Sequence, residues 1–85
     1  MFPVMPKAHD FRFLEEVGRR LVNRREKLGL SQWQVAASAK ITAQQLSRYE
    51  LGQSDPPIST LKRIAQALQM NITALLVQTS IMADK

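Results

Sequence analysis

The sequence signals the start of a helix twice within a dozen residues. Ser31 is followed three positions later by Gln34, and Thr42 by Gln45. In such an S/T-x-x-Q pair the hydroxyl accepts from the backbone N–H of the glutamine. The glutamine side chain accepts in turn from the N–H of the capping residue, so two orphan amides are satisfied together. Leu30 with Val35, and Ile41 with Leu46, stand where a hydrophobic staple closes over each cap. Two complete starts this close leave room for one short helix and a tight turn, read here as Ala39, Lys40 and Ile41. Helices joined that tightly must cross at a steep angle.

The flanking sequence is helical as well. No segment alternates with period two, and Asn-Gly and Asp-Gly turns are absent. A first helix is expected from near Asp10, whose carboxylate is suited to cap it, to Gly29. Leu14, Val17, Gly18, Leu21 and Leu28 form its apolar stripe. Glu15 and Glu16 lie early, and Arg19, Arg20, Arg24, Arg25 and Lys27 late, an order that complements the helix dipole. The spacing also predicts Glu15–Arg19 and Glu16–Arg20 pairs. Gly52 ends the third helix and Asp55-Pro56-Pro57 enforces a break. A fourth helix starting near Ile58 turns Leu61, Ile64, Ala65 and Leu68 inward, and a fifth, capped by Asn71, runs from about Ile72 to Thr79. Residues 1–9 are expected to be a flexible arm, 10–80 one domain, and 81–85 a tail.

Composition narrows the function. The chain has 85 residues, no cysteine, 45% hydrophobic residues and a formal charge of +5. One small core without disulfides or thiolate metal sites follows, and no stretch reads as a signal peptide or a membrane span. A cytoplasmic protein of a reducing compartment is expected. The positive balance suits a polyanion. His9 is the only histidine, and no metal-ligand cluster, phosphate loop or nucleophile–base set accompanies it. No catalytic residue, metal ligand or cofactor site is assigned, and the protein is read as not an enzyme.

Attention therefore falls on helix three. At 100° per residue Leu46 and Tyr49 share the core side, while Ala43, Gln44, Ser47 and Arg48 face the other way. Glutamine can pair with adenine N6 and N7, arginine can bond guanine O6 and N7, and Ala43 and the Thr42 methyl suit a thymine methyl. Thr42, Ala43, Gln44, Ser47 and Arg48 are the candidate base-reading residues. Gln32, Trp33 and Gln45 are the candidate phosphate contacts, since amide protons at a helix start attract anions and the indole N–H is a further donor. Trp33 equally suits the edge of the core or a dimer seam.

These features resemble the phage repressor/Cro type of helix-turn-helix, the xenobiotic-response-element-like family, over Val17 to Leu76. The resemblance is carried by V-G-R-R-L, R-E-K-L-G-L-S-Q, I-T-A-Q-Q-L-S-R-Y-E-L-G, P-P-I-S-T-L-K-R-I-A-Q-A-L and M-N-I-T-A-L-L. It implies an all-α, five-helix, lambda-repressor-like DNA-binding domain, with Gln32 contacting DNA and Thr42, Ala43, Gln44 and Arg48 reading bases. It also implies a structural ion pair between Arg25 and Glu50. Three positions depart from the pattern. Lys40 replaces the usual turn glycine, Arg24 replaces an apolar residue, and Gln53, Ser54 and Asp55 stand where basic residues are common.

The expected partner is double-stranded DNA bearing a pseudo-palindromic operator, read by a homodimer that regulates transcription. The apolar character of Ile72, Leu75, Leu76, Val77, Ile81 and Met82 motivates the dimer, with Ile72, Leu76 and Ile81 as its interface. The competing reading is an antitoxin or adaptor that acts through a protein partner on the same fold. A membrane-surface role is disfavoured because the apolar stripe of helix one is needed for the core.

Overall fold

The computed structural model describes residues 6–76. Its helices are α1 (Pro6–Lys27), α2 (Gln32–Ala39), α3 (Ala43–Glu50), α4 (Ile58–Ala67) and α5 (Ile72–Leu76), with no strand among the described residues. The five expected elements are present in the expected order. Two boundaries differ. α1 opens at Pro6, so Asp10 lies inside the helix and is not its cap, and residues 6–9 belong to α1 and not to an arm. Proline suits a first turn because its missing N–H would have no intrahelical partner there. α2 includes Ala39, so the connection to α3 is Lys40, Ile41 and Thr42.

The core draws on every helix. Leu21 of α1, Val35 of α2, Leu46 of α3, Ile64 of α4, the adjoining Leu68 and Leu75 of α5 are all fully buried. Burying such a side chain is worth about 1.5–3 kcal/mol before entropy is counted. Val17 is also buried, and Leu28, Leu30, Ile41, Met70, Ile72 and Leu76 pack around the cluster. Leu75, one of the residues behind the expected dimer surface, is thus a core residue. Val77, Ile81 and Met82 lie outside the described residues.

Two glycines set how closely α3 approaches α1. A Cβ on Gly18 would stand 2.3 Å from the Glu50 carbonyl oxygen and 2.6 Å from that of Tyr49. Only a residue without a side chain admits the end of α3 here. Gly52, with φ of +73°, then turns the chain against Glu15. Of the two expected pairs on α1 only Glu16–Arg20 forms, at 3.7 Å.

Helix ends are closed by arginines reaching across the fold. Arg20 Nη1 donates to the Leu75 carbonyl at 2.9 Å, at the end of α5. Arg24 donates through Nε to Leu68 (2.9 Å) and through Nη2 to Gln69 (3.0 Å), just beyond α4. Arg63 Nε donates to Ala39, the last residue of α2, at 2.8 Å. Each places a cation on carbonyls that the helix geometry leaves without partners and at the negative end of a dipole. This explains Arg24 in a position that the family resemblance makes apolar. No buried side-chain polar atom among the described residues lacks a partner.

Candidate nucleic-acid interface

Both capping boxes form as the sequence predicts. Gln34 N–H donates to Ser31 Oγ at 3.0 Å and Ser31 N–H to Gln34 Oε1 at 2.8 Å. Gln45 N–H donates to Thr42 Oγ1 at 3.0 Å and Thr42 N–H to Gln45 Oε1 at 3.1 Å. The Gln45 carbonyl is therefore occupied, and its NH2 group carries no hydrogen bond within the described residues. Between the boxes Lys40 adopts a left-handed backbone, φ 61° and ψ 43°, as expected for a lysine at the glycine position. Its N–H bonds Ala37, the Ile41 N–H bonds Ala36, and Arg63 holds the Ala39 carbonyl, so three bonds fix the turn.

α3 presents two unlike sides. Leu46, Tyr49 and Glu50 are buried. Thr42, Gln44, Gln45 and Arg48 are exposed, and Ala43 and Ser47 are half-buried at the margin. Among the described residues the Gln44 and Arg48 side chains take part in no hydrogen bond or ion pair. From Ser31 to Tyr49 the chain contains no carboxylate and two cations, Lys40 and Arg48. A surface so composed accommodates a polyanion without like-charge repulsion.

The rear of α3 is tied down by charge. Arg25 meets Glu50 through two bonds, Nε to Oε2 at 2.6 Å and Nη2 to Oε1 at 3.2 Å. Its Nη1 donates to the Leu30 carbonyl at 3.0 Å. The hydrogen bond to Glu50 raises the pKa of the Arg25 guanidinium above its ordinary value, against a smaller opposing effect of burial. The expected pair is therefore present, and it has a third member. Gln32 Nε2 donates to Glu50 Oε1 at 2.8 Å. The candidate phosphate contact at the start of α2 is thus linked through one carboxylate to the end of α3. Sequence spacing carries no signal for this link, because eighteen positions separate the two residues.

The remaining candidates divide. Trp33 is 72% exposed, which removes the core-edge reading. Beside it lies an open depression of about 290 Å³, lined by Trp33, Ala36, Ala37, Ile41, Thr42 and Ala43, which the sequence did not reveal. Ile72 and Leu76 are half-buried against the core, and Ile81 lies outside the described residues. No helix among the described residues is long and apolar enough to cross a membrane, and none of their His, Asp or Glu side chains gather as a metal site.

A family model described as helix-turn-helix, HTH_3, matches residues 21–75, from the last two turns of α1 into α5. The chain belongs to the HTH_3 helix-turn-helix family. A comparison with curated protein sequences finds no match. Solved structures agree with the family. The restriction-modification controller protein C.AhdI from Aeromonas hydrophila is 27% identical with a TM-score of 0.71, the match covering 73% of this chain and 94% of that one. An HTH_3 family transcriptional regulator from Vibrio cholerae is 32% identical with a TM-score of 0.73. The match covers 78% of this chain, which spans only 37% of that protein's length. The clp gene regulator ClgR from C. glutamicum, 22% identical over 86% of this chain and 96% of its own, has a TM-score of 0.74 and shares the fold. The all-α, lambda-repressor-like architecture expected from the resemblance is therefore the architecture of this HTH_3 domain.

Proposed function

We propose that this HTH_3 protein regulates transcription by reading a specific duplex sequence with α3 in the major groove. DNA-binding regulation of transcription comes with the family; the groove and the reading residues are our inference. One observation carries it. The side of α3 turned away from Leu46 and Tyr49 is open, with Gln44 and Arg48 exposed and unengaged. In this reading Arg48 bonds guanine O6 and N7, Gln44 pairs with adenine, Ser47 bonds either base, and Thr42 and Ala43 meet a thymine methyl. Gln32 and the NH2 group of Gln45 face phosphates and set the register without reading sequence, and Trp33 lies beside the same strand. The Gln32 side chain is held by Glu50, so its backbone N–H at the start of α2 is the better donor to a phosphate oxygen.

A twofold homodimer with Ile72, Leu76 and Ile81 at its seam completes the proposal. It would present two α3 helices about 34 Å apart to a pseudo-palindromic operator. Selection of bound duplexes from a random pool tests both parts. The expected result is a conserved half-site, repeated in inverted orientation about one helical turn away. Retention without any sequence enrichment would remove direct readout and favour the reading in which the fold serves a protein partner.

A further inference from the structure

We propose that Trp33 and the depression beside it form an apolar seat for the deoxyribose edge of the DNA strand that passes the start of α3. The inference rests on the DNA-reading function above and extends it to a surface that neither hydrogen-bonds bases nor carries charge.

The seat is built from two helices and the turn between them. Trp33 and Ala37, one turn apart on α2, face Ile41, Thr42 and Ala43 across an opening of about 290 Å³. Trp33 is 72% exposed, the largest value among the exposed large hydrophobic residues that the structure describes, although Val35 and Ala36 on the same helix are buried. An indole left in water at that extent contributes little to the core, and an apolar surface rimmed by polar groups marks a contact. Its position identifies the occupant. Thr42 and Ala43, which close the depression on one side, are the residues that open the reading face of α3. A strand held by the amides at the start of α2 and read by Gln44 must pass between those elements, over the depression. The lining has no charged group, and the surrounding segment from Ser31 to Tyr49 has no carboxylate to repel the strand. The part of a nucleic-acid strand that fits an uncharged apolar hollow beside its phosphates is the sugar.

The chain has a single tryptophan, so its emission reports on this surface alone. The experiment uses the full chain and a duplex obtained by the selection described above. Titration of the duplex should shift and quench Trp33 emission and protect it from acrylamide. Trp33→Ala should weaken binding about tenfold while Trp33→Phe retains most of it, because the ring face acts and the indole N–H does not. The loss should be similar on selected and unrelated duplexes, since sugars carry no sequence. The slope of log K against log salt should be unchanged, because no phosphate charge is neutralised by an indole. Both variants should melt with the wild type, since the side chain stands outside the core. A Trp33→Ala protein that binds DNA normally, with unmoved emission in the wild type, would overturn the seat while leaving the DNA-reading function intact. Trp33→Phe as weak as Trp33→Ala would overturn it in favour of a donor role for the N–H. A loss confined to duplexes with thymine, and absent when uracil replaces it, would overturn it in favour of a methyl contact. Failure of the wild type to bind any duplex would overturn both proposals.

Discussion

Single side chains here divide between those that hold the domain together and those left to meet a partner, and the two sets predict different failures. Arg25 and Glu50 belong to the first, with side chains 14% and 5% exposed. Arg25→Leu leaves the Glu50 carboxylate buried with only Gln32 for company. Removing one partner of a buried pair costs about 3–5 kcal/mol, and urea unfolding should show a loss of that size. Arg48 belongs to the second set. Arg48→Ala should leave the urea midpoint nearly unmoved, weaken binding to the selected operator by about 1–3 kcal/mol and relax the preference at one base position. An unchanged sequence preference would remove Arg48 from base reading. Gln32 sits in both sets, through its bond to Glu50 and its place at the start of α2.

At the scale of helices, what matters is how α3 is aimed. The turn before it passes through Lys40 at φ 61°, a conformation costing an L-residue roughly 1–2 kcal/mol relative to the right-handed form. Lys40→Gly should raise stability in urea by up to about 1 kcal/mol, the relief being offset in part by the greater freedom of glycine in the unfolded chain. The far end of α3 depends on Gly18. Gly18→Ala sets a methyl against two backbone carbonyls, so α1 and α3 must separate, at a cost of about 1–3 kcal/mol. Because the displaced helix is the one proposed to read DNA, affinity should fall with stability; unchanged affinity in a shift assay would show that the aim of α3 survives. The sequence disclosed the local parts of this arrangement. Ser31–Gln34 and Thr42–Gln45 are three residues apart, and a cap needs nothing more distant than its own first turn. The arginine bonds to Leu75, Leu68 and Ala39 span 55, 44 and 24 positions. They depend on the finished packing, so periodicity gives no hint of them; on α1, Arg20 reads as a dipole complement and a partner of Glu16, and Arg24 as a cation in a usually apolar position. The depression beside Trp33 is hidden for the same reason, since α2 and the turn must first be assembled.

For the molecule as a whole, the question is how far one domain suffices. Its outward cations include Arg19, Lys27, Lys40, Arg48 and Lys62, whereas Arg20, Arg24, Arg25 and Arg63 are engaged inside the fold. With Leu75 in the core, the dimer proposal rests on Ile72, Leu76 and Ile81. Sedimentation of the full chain, alone and with a two-half-site duplex, should show two protomers per duplex; one protomer at saturating protein would remove the homodimer. The cross-helix guanidinium bonds have a further consequence for the same chain. Each joins the flank of one helix to the terminus of another, so α5 cannot peel from the bundle without releasing Arg20, nor α4 unravel without releasing Arg24. Opening should then be all-or-none, with slow amide exchange at the three tethered ends governed by global unfolding and not by local fraying. A domain this small is in effect laced shut, and its weakest helix lasts as long as its strongest.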